Sequence, residues 1–274
     1  MQPPRLYETH SHTPLCKHAT GQPWEYAAEA RKKNLKGLIV TCHCPLPEGF
    51  SPGVRMRMDE FSTYCTLVDS AAEKWKGEVD VLLGMESDFL PGFEKWIEDL
   101  HKKADFHYIL GSVHPQLAPY SDRFFTGDVF EFQKTYFTHL ADAAETGLFD
   151  TLSHPDLIKN QTSKNWDLTA LLDHIRTCLD RIAKTGVAME LNTSGINKVI
   201  QQMNPAPEIL KEIKERSIPV VIGADAHTPN RVGDRFPEAL ALLKSIGFTS
   251  VSSFRNRIRY EISIDEAITS LSGN

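Results

Sequence analysis

The run Leu6-Tyr7-Glu8-Thr9-His10-Ser11-His12 decides the fold, because it joins a strand-like segment to two histidines at its C-terminal end. Side chains two residues apart in an extended segment point to the same side, so His10 and His12 can reach one metal ion. Six further strand-like runs follow, at residues 37–41, 79–84, 108–113, 149–153, 187–192 and 219–223. Most are short and apolar, which is typical of parallel strands that are buried on both faces.

Longer stretches with helical spacing separate these runs. They cover residues 24–34, 59–76, 93–103, 130–146, 168–184, 207–216 and 237–245. Seven strand-then-helix units predict an α/β protein with one parallel barrel across residues 1–274, rather than two domains. The tail, residues 248–274, contains short strand-like pieces and a last helix that the pattern does not place.

Composition excludes several classes of protein. The chain has 274 residues, 41% of them hydrophobic and 24% charged, and a net charge of −6, which argues against nucleic acid or an anionic membrane as the main partner. It has no apolar run of membrane-spanning length, and its N-terminus lacks the apolar region of a signal peptide. Five cysteines without a CxxC pair indicate reduced thiols. We therefore expect a cytoplasmic protein.

Histidine and carboxylate side chains gather at or just after the predicted strand ends. Nine of these residues lie at or just after a predicted strand end, or a few residues beyond one that does. They are His10, His12, His18, His43, Glu86, His114, His154, Asp225 and His227. In a parallel barrel the C-terminal strand ends meet at one face, and these side chains are ligands that suit zinc, iron and manganese. Nine ligands are too many for one ion and about right for three, with one carboxylate shared.

The remaining histidines and the cysteines near the strand ends have simpler interpretations. His101, His139 and His174 fall within helical stretches and His107 at a strand start, so we expect no metal there. Alternation along an extended segment points Cys42 and Cys44 away from the side that His43 faces. We expect these two cysteines to pack or to support the site. Cys16 lies between two ligand candidates, but a buried free thiol is the commoner case.

Seven segments of the chain together resemble the PHP (polymerase and histidinol phosphatase) family of metal-dependent phosphoesterases, and within it the histidinol-phosphate phosphatases. The segments are His10-Ser11-His12-Thr13-Pro14-Leu15-Cys16-Lys17-His18, Thr41-Cys42-His43-Cys44-Pro45-Leu46-Pro47, Gly84-Met85-Glu86-Ser87-Asp88-Phe89, Ser112-Val113-His114, Ser153-His154, Asn192-Thr193-Ser194-Gly195 and Gly223-Ala224-Asp225-Ala226-His227. The resemblance covers nearly the whole chain. It implies a single PHP domain with a distorted (β/α)7 TIM-like barrel.

The resemblance also implies a ligand scheme for three divalent transition-metal ions, which zinc, manganese or iron would suit. The first site would use His10, His12, Glu86 and Asp225; the second Glu86, His114 and His154; the third His18, His43 and His227. Glu86 would bridge two ions, and a hydroxide between them would attack the phosphorus. Glu86, Asp225 and His227 would form the catalytic set. The implied partners are a small phosphorylated substrate and inorganic phosphate.

The sequence departs from the family pattern at two places. Cys42 stands where an acidic residue usually precedes the third-site histidine, and Asn197-Lys198 stands where many histidinol-phosphate phosphatases have Arg-Lys. Lys198, Arg55, Arg57 and Arg231 are the candidates for the phosphate contact, although each could equally be a solvated surface residue. Glu48, Phe50 and Asp88 are candidates for holding the organic cation of histidinol.

Several functions remain open from the sequence. The leading hypothesis is hydrolysis of L-histidinol phosphate in histidine biosynthesis, and another small phosphomonoester or a nucleotide is the alternative within the same chemistry. A binuclear amidohydrolase also begins with HxH on a barrel, but that class does not account for His18 and His43. A non-catalytic metal-binding module is disfavoured because all nine ligand positions are filled. The oligomeric state is not predicted.

Overall fold

The structure, a computed structural model that describes residues 3–272, contains a seven-stranded sheet in which neighbours along the chain are neighbours in the sheet. The strands are β1 (Tyr7–Ser11), β2 (Gly37–Val40), β3 (Asp80–Asp88), β4 (Tyr108–Ser112), β5 (Thr151–Leu152), β6 (Ala188–Asn192) and β7 (Val220–Gly223). All six pairings are parallel. The predicted α/β class is therefore confirmed.

The first and last strands approach each other and nearly close the sheet. The amide of Ala226 donates to the His10 carbonyl at 2.9 Å, and the amide of His12 donates to the Ala226 carbonyl at 3.0 Å. Thr9 Oγ1 donates to the Ile222 carbonyl at 2.8 Å. The predicted distorted (β/α)7 barrel is confirmed, and the residues after β1 and β7 come together at one end of it.

Helices surround the barrel in the order expected from the sequence. They are α1 (Pro23–Lys32), α2 (Phe61–Lys74), α3 (Glu94–His101), α4 (Ala118–Phe124), α5 (Val129–Glu145), α6 (Ile158–Gln161), α7 (Leu168–Ala183), α8 (Pro207–Glu215), α9 (Phe236–Ile246) and α10 (Ile264–Ser272). Only α4 and α6 were not anticipated, because helices of seven and four residues are too short to show a helical period. Within residues 3–272, no helix is both long enough and apolar enough to span a membrane.

Local sequence explains where several helices begin and end. Asp128 precedes α5 and accepts hydrogen bonds from the amides of Phe130 and Glu131, and Asp167 accepts from the Ala170 amide at the start of α7. These carboxylates satisfy amide groups that have no partner within the helix. Gly247 follows α9 with a φ of 100°, a left-handed conformation that favours glycine.

Strand β3 is longer than the sequence indicated. Its first half, residues 80–83, pairs with β2, and its second half, residues 84–88, pairs with β4. This stagger extends the strand beyond the apolar run that ends at Gly84, so Glu86 lies inside the strand instead of just after it. The carboxylate is fully buried as a result.

The tail closes the end of the barrel at which the strands begin. Its two strands, β8 (Ser250–Arg255) and β9 (Ile258–Ser263), form an antiparallel hairpin. The amide of Arg257 donates to the carbonyl of His107, which directly precedes β4. Eight apolar or aromatic side chains fill the interior: Tyr7, Ile39, Leu82, Tyr108, Leu110, Ala188, Val221 and Phe254. The hairpin and this cluster therefore cover one end of the barrel, and the C-terminal strand ends form the other.

Candidate metal centre

The carboxylate of Glu86 lies at the centre of five imidazole rings. Its Oε1 lies 3.1 Å from His154 Nε2 and 3.4 Å from His114 Nε2. Its Oε2 faces the other three rings, at 2.5 Å from His43 Nδ1, 3.5 Å from His10 Nε2 and 3.7 Å from His12 Nε2. The two oxygens of one carboxylate therefore serve two different sets of histidines.

Asp225 forms a second carboxylate centre next to Glu86. Its Oδ1 lies 3.1 Å from His12 Nε2, 3.3 Å from His227 Nδ1 and 3.6 Å from His10 Nε2. The rings of His12 and His227 stack with their centroids 3.9 Å apart, and His18 stacks on His227 at 4.7 Å. All nine residues selected from the sequence are thereby brought into one continuous cluster.

Several buried polar atoms in this cluster lie close to one another but form no hydrogen bond of suitable geometry. They are His10 Nε2, His12 Nδ1, His43 Nδ1, Glu86 Oε2 and His227 Nε2. Buried polar atoms are nearly always satisfied in proteins, so a concentration of unsatisfied imidazole nitrogens around a carboxylate is typical of a cation-binding site. The donor set, imidazole and carboxylate, is the one that divalent transition metals prefer. The residues present therefore fit a metal centre.

Three compact groups made only of histidine and carboxylate side chains could each hold an ion, with ligand atoms within 4.8 Å of one another; two further groups include Cys16. The three are His10, His12 and Glu86; His43, Glu86 and His114; and His12, His43 and His227. The resemblance assigned His43 only to the group of His18 and His227. The structure also places it against Glu86 and His114, so His43 lies between the second and third of the expected sites.

The charges of the two carboxylates suit cation binding. Burial raises the pKa of Glu86, but the neighbouring His43, His10 and His114 hold that pKa well below its usual value. Burial acts in the same way on Asp225, and His10, His12 and His227 outweigh it, so the pKa of Asp225 also lies well below its usual value. Both groups are therefore anionic at neutral pH, as metal ligands must be.

A buried carboxylate that the sequence analysis missed supports the cluster from behind. Glu190 lies in β6 and its Oε1 is 2.8 Å from His10 Nδ1, while its Oε2 accepts a hydrogen bond from the His154 amide at 2.9 Å. Asn192 Nδ2 donates to the same Oε2 at 3.0 Å. The only signal for Glu190 in the sequence is a charged residue within an apolar strand, Ala188–Asn192.

Hydroxyl groups also orient the two central carboxylates. Ser112 Oγ donates to Glu86 Oε1 at 2.7 Å, and Ser194 Oγ donates to Asp225 Oδ2 at 3.0 Å. Ser194 belongs to the segment Asn192-Thr193-Ser194-Gly195 that contributed to the family resemblance. That segment therefore supports Asp225 and leaves Oδ1 directed at the histidines.

Two ligand candidates have backbone conformations that side-chain-bearing residues rarely adopt. The φ angle is 24° at His154 and 49° at Asp225. Such conformations cost on the order of 1–3 kcal/mol and persist where surrounding contacts enforce them, often at functional sites. The hydrogen bond from the His154 amide to Glu190 is one such contact.

The cysteines near the cluster are buried free thiols. Cys42 Sγ accepts hydrogen bonds from Thr13 Oγ1 at 3.1 Å and from the Thr13 amide at 3.4 Å, and Cys44 Sγ accepts from the Asp88 amide at 3.3 Å. These contacts agree with supporting roles for Cys42 and Cys44. Cys16 lies beside His12, His18 and His227, with its thiol within 4.8 Å of their nitrogens.

A cleft of about 250 Å³ opens over the cluster. Besides the metal-ligand candidates His18, His43, Glu86, His114, His154, Asp225 and His227, its walls contain Gln116, Leu157 and Lys198. Lys198 is the one basic candidate from the sequence that lines this cleft. Gln116 and Leu157 were not anticipated, since neither carries a signal in the sequence that distinguishes it from a loop residue.

The three arginine candidates lie elsewhere and have acidic partners. Arg55 is buried, with Nε 2.7 Å from Asp88 Oδ2 and Nη2 3.1 Å from His114 Nδ1. The exposed Arg57 pairs with Asp59 at 3.0 Å and with Glu60 at 3.3 Å. Arg231 Nε lies 2.9 Å from Asp234 Oδ2. Arg231 also lies within 3.0 Å of the Asn197 side-chain oxygen, when that amide is oriented to accept.

The groups expected to hold an organic cation are not gathered at the cleft. Asp88 is buried and contacts both Arg55 and His114, and these neighbours outweigh burial and lower its pKa. Glu48 and Phe50 line a separate groove. Asp88 therefore orients His114 and Arg55, and it is not free to bind a ligand.

The four histidines that were not expected to bind metal lie away from the cluster and have other partners. His101 Nε2 lies 2.9 Å from Ser87 Oγ, His107 Nδ1 accepts from the Asn256 amide at 3.2 Å, His139 Nδ1 lies 2.8 Å from the Tyr120 hydroxyl, and His174 Nε2 lies 3.1 Å from Thr138 Oγ1. Each side chain thus has a structural explanation that needs no metal.

Comparison with known proteins agrees with this architecture. The PHP domain matches residues 8–194. A protein of Deinococcus radiodurans described as a probable histidinol-phosphatase is 36% identical over 262 residues, which cover 92% of this chain and 97% of that protein. The histidinol-phosphatase of Bacillus subtilis is 23% identical over 254 residues, covering 82% of this chain and 94% of the relative.

A solved structure shares the fold at low sequence identity. The histidinol phosphate phosphatase of Lactococcus lactis superposes with a TM-score of 0.79 at 18% identity, covering 93% of this chain and 98% of that one. Its barrel supports the topology described above. The domain match spans more than half of the chain, and the Deinococcus radiodurans relative covers nearly all of it. The chain therefore belongs to the PHP domain family.

Proposed function

We propose that the protein is a metal-dependent phosphomonoesterase that hydrolyses L-histidinol phosphate, acting as a single domain over residues 1–274. The observation that carries this proposal is the convergence of five imidazoles on Glu86 beside Asp225, with Lys198 in the wall of the same cleft. The relative from Deinococcus radiodurans is described as a probable histidinol-phosphatase, and that from Bacillus subtilis as a histidinol-phosphatase. The Lactococcus lactis structure contains zinc, L-histidinol and phosphate.

We assign three divalent ions, zinc, manganese or iron, to the nine clustered residues. The proposed sets are His10, His12, Glu86 and Asp225; Glu86, His114 and His154; and His18, His43 and His227. When bound, such ions polarise a phosphoryl oxygen and lower the pKa of water. Glu86 would be shared between two of the ions, because its two oxygens face different sets of histidines.

The remaining roles belong to side chains around the cleft. Asp225 Oδ1 faces the histidines while Ser194 donates to Oδ2, so the carboxylate is held with Oδ1 directed into the proposed metal centre. His227 lines the cleft and completes the proposed catalytic set with Glu86 and Asp225. The Lys198 ammonium group, a compact positive charge in the cleft wall, would bind a phosphate oxygen.

A different small phosphomonoester is a second candidate substrate, and one observation favours it. Within residues 3–272, Glu86 and Asp225 are the only acidic side chains in the cleft wall, and both belong to the proposed metal centre. Histidinol phosphate carries an amine cation, and no further carboxylate in this wall is free to bind it. The cleft wall therefore also suits a phosphomonoester that carries no amine cation.

The proposal is tested by phosphate release from metal-loaded enzyme with histidinol phosphate, a nucleoside monophosphate, a sugar phosphate and p-nitrophenyl phosphate. We expect kcat/KM for histidinol phosphate to exceed that for p-nitrophenyl phosphate at least ~10-fold, which is about 1.4 kcal/mol of transition-state binding. Much faster hydrolysis of the nucleotide or the sugar phosphate would reject the histidinol assignment and retain the phosphatase. Failure to hydrolyse any of the four would reject the proposed reaction.

Metal analysis tests the cofactor assignment separately. Protein purified without chelator should contain two to three metal equivalents, on the basis of nine ligands and roughly three to four protein ligands per ion. Removal of metal should abolish activity, and addition of zinc or manganese should restore it. Full activity after exhaustive chelation would exclude the metal-dependent mechanism.

A further inference from the structure

A buried ion pair follows His154 closely in the sequence and serves none of the roles assigned so far. Asp156 and Lys159 are both completely buried, and Lys159 Nζ lies 2.9 Å from Asp156 Oδ2. Removing two charges from water is costly, and a buried pair seldom stabilises a fold more than apolar residues of similar size would. The contacts of this pair therefore need an explanation beyond stability.

The remaining hydrogen bonds of the pair all reach the loop that follows β6. Lys159 Nζ donates to the Met203 carbonyl at 2.9 Å and to Gln202 Oε1 at 3.4 Å. Asp156 accepts from the Asn204 side chain through Oδ1 and from the Ala206 amide, at 2.9 Å, through Oδ2. Both charges are thus satisfied by one short segment of the chain.

Asn160, the residue next to Lys159, forms the hydrogen bond to this loop that lies nearest to Lys198 in the sequence. Asn160 Oδ1 accepts a hydrogen bond from the Ile200 amide at 3.0 Å. Ile200 is two residues from Lys198, whose own amide donates to the Gly195 carbonyl at 3.0 Å. The backbone on both sides of Lys198 is therefore fixed, on one side by Gly195 and on the other by the segment that begins at Asp156.

The side chain of Lys198 itself has no such restraint. It lies in the cleft wall, and no acceptor within residues 3–272 forms a hydrogen bond or an ion pair with its Nζ. A long, flexible lysine reaches a phosphate with less loss of conformational freedom when its backbone is already fixed. The direction of the ammonium group thus depends on the loop, and the loop depends on the buried pair.

We propose that Asp156 and Lys159 are positioning residues, which hold the loop of residues 198–206 so that Lys198 faces the phosphate of the substrate. This inference rests on the proposed phosphate contact of Lys198. It couples the His154 side of the metal centre to the phosphate-binding side chain, because Asp156 is only two residues from His154. Lys159 acts through Lys198 and does not touch the substrate.

The test is a double-mutant cycle read out by binding of inorganic phosphate to metal-loaded enzyme in isothermal titration calorimetry. Lys198→Met removes the ammonium group from the cleft, and Lys159→Met removes the positioning charge. We expect each single variant to weaken phosphate binding about 10-fold, the scale of one charge-assisted hydrogen bond. If Lys159 acts through Lys198, the double variant should bind phosphate about as weakly as Lys198→Met alone.

Controls separate positioning from a general loss of stability. Ser252 is also buried but bonds to Glu261 within the β8–β9 hairpin, at the other end of the barrel, so Ser252→Ala should leave the phosphate Kd unchanged. Metal content should match the parent in every variant. The KM of Lys159→Met should rise more than its kcat falls. If Lys159→Met does not fold, Asn160→Ala replaces it in the cycle, because that change removes only the bond to the Ile200 amide.

The outcomes distinguish failure of the positioning role from failure of the phosphate contact of Lys198. If the losses of phosphate affinity in the two single variants multiply in the double variant, the positioning role is overturned. A normal phosphate Kd in Lys159→Met, together with a weakened one in Lys198→Met, would overturn it as well. A normal phosphate Kd in Lys198→Met would instead overturn the phosphate contact on which the positioning role depends. Neither result would alter the phosphatase assignment, which depends on phosphate release by the parent enzyme.

Discussion

Glu190 Oε1 lies 2.8 Å from His10 Nδ1, while the other ring nitrogen of His10 points at Glu86 and Asp225. A carboxylate behind an imidazole ligand fixes the ring orientation and the position of its proton, and it makes the metal-facing nitrogen more basic. Glu190 is buried, and its second oxygen accepts the His154 amide. One side chain thus contacts two of the proposed ligands, whose rings lie 5.9 Å apart.

Glu190→Gln should weaken metal binding and leave the fold intact. The amide has nearly the same shape but lacks the charge that polarises His10, so we expect metal affinity to fall about 10- to 100-fold. Competition with a chromogenic zinc chelator measures this change. Glu208→Gln, on the exposed surface of α8, is the matched control and should bind as the parent does. Equal metal affinities in Glu190→Gln and Glu208→Gln would show that Glu190 does not support metal binding.

Glu86→Gln should have a larger effect on turnover. Five histidine nitrogens surround this carboxylate, and an amide cannot offset the charge of two cations. We expect kcat to fall by at least ~10³-fold, the scale of losing a principal electrostatic element. Steady-state kinetics with metal in excess, together with metal analysis, checks this. Near-normal turnover and metal content would show that another group bridges the ions.

The clustered histidines should differ from the outlying ones in metal binding. His114→Ala and His154→Ala each remove a ring that faces Glu86 Oε1, so both variants should lose metal and activity. His139→Ala and His174→Ala remove rings that bond only to neighbouring helix or loop groups, so both should keep the parent's metal content with modest losses of stability. Metal analysis and thermal melts distinguish the pairs. Similar metal loss in all four would contradict the assignment of ligands.

The sequence predicts the strand-end ligands because two simple constraints act together. Parallel strands buried on both faces appear as short apolar runs, and their C-terminal ends must meet at one end of a barrel. His43, His114 and His154 follow such runs directly, so their convergence needs no knowledge of packing. Glu190 is different, because its partner His10 is 180 residues away and lies on a strand that only barrel closure brings near.

The basic residues show where prediction from sequence fails. Arg55 and Arg57 are two residues apart in one loop, yet Arg55 is buried against Asp88 and Arg57 is exposed beside Asp59 and Glu60. A loop has no repeating period, so spacing does not reveal which side chain turns inward. Lys198 lines the cleft, and its loop is bonded to Asn160 through the amide of Ile200, a contact between residues 40 apart that has no local signature.

His101 should make the stability of the fold depend on pH in a defined direction. Burial, with a smaller contribution from the charge of Arg257, lowers the pKa of His101 to about 3, below its ordinary value of 6.5. Between these values the unfolded chain binds a proton at residue 101 that the folded chain does not, so the free energy of unfolding falls as pH falls.

His101→Gln removes the imidazole that binds this proton and can keep a hydrogen bond to Ser87. From pH 7.5 to 5, the variant should lose up to about 2 kcal/mol less stability than the parent. Urea unfolding at the two pH values, with equal metal loading, measures the difference. Parallel pH profiles would show that His101 is protonated equally in the folded and unfolded chains.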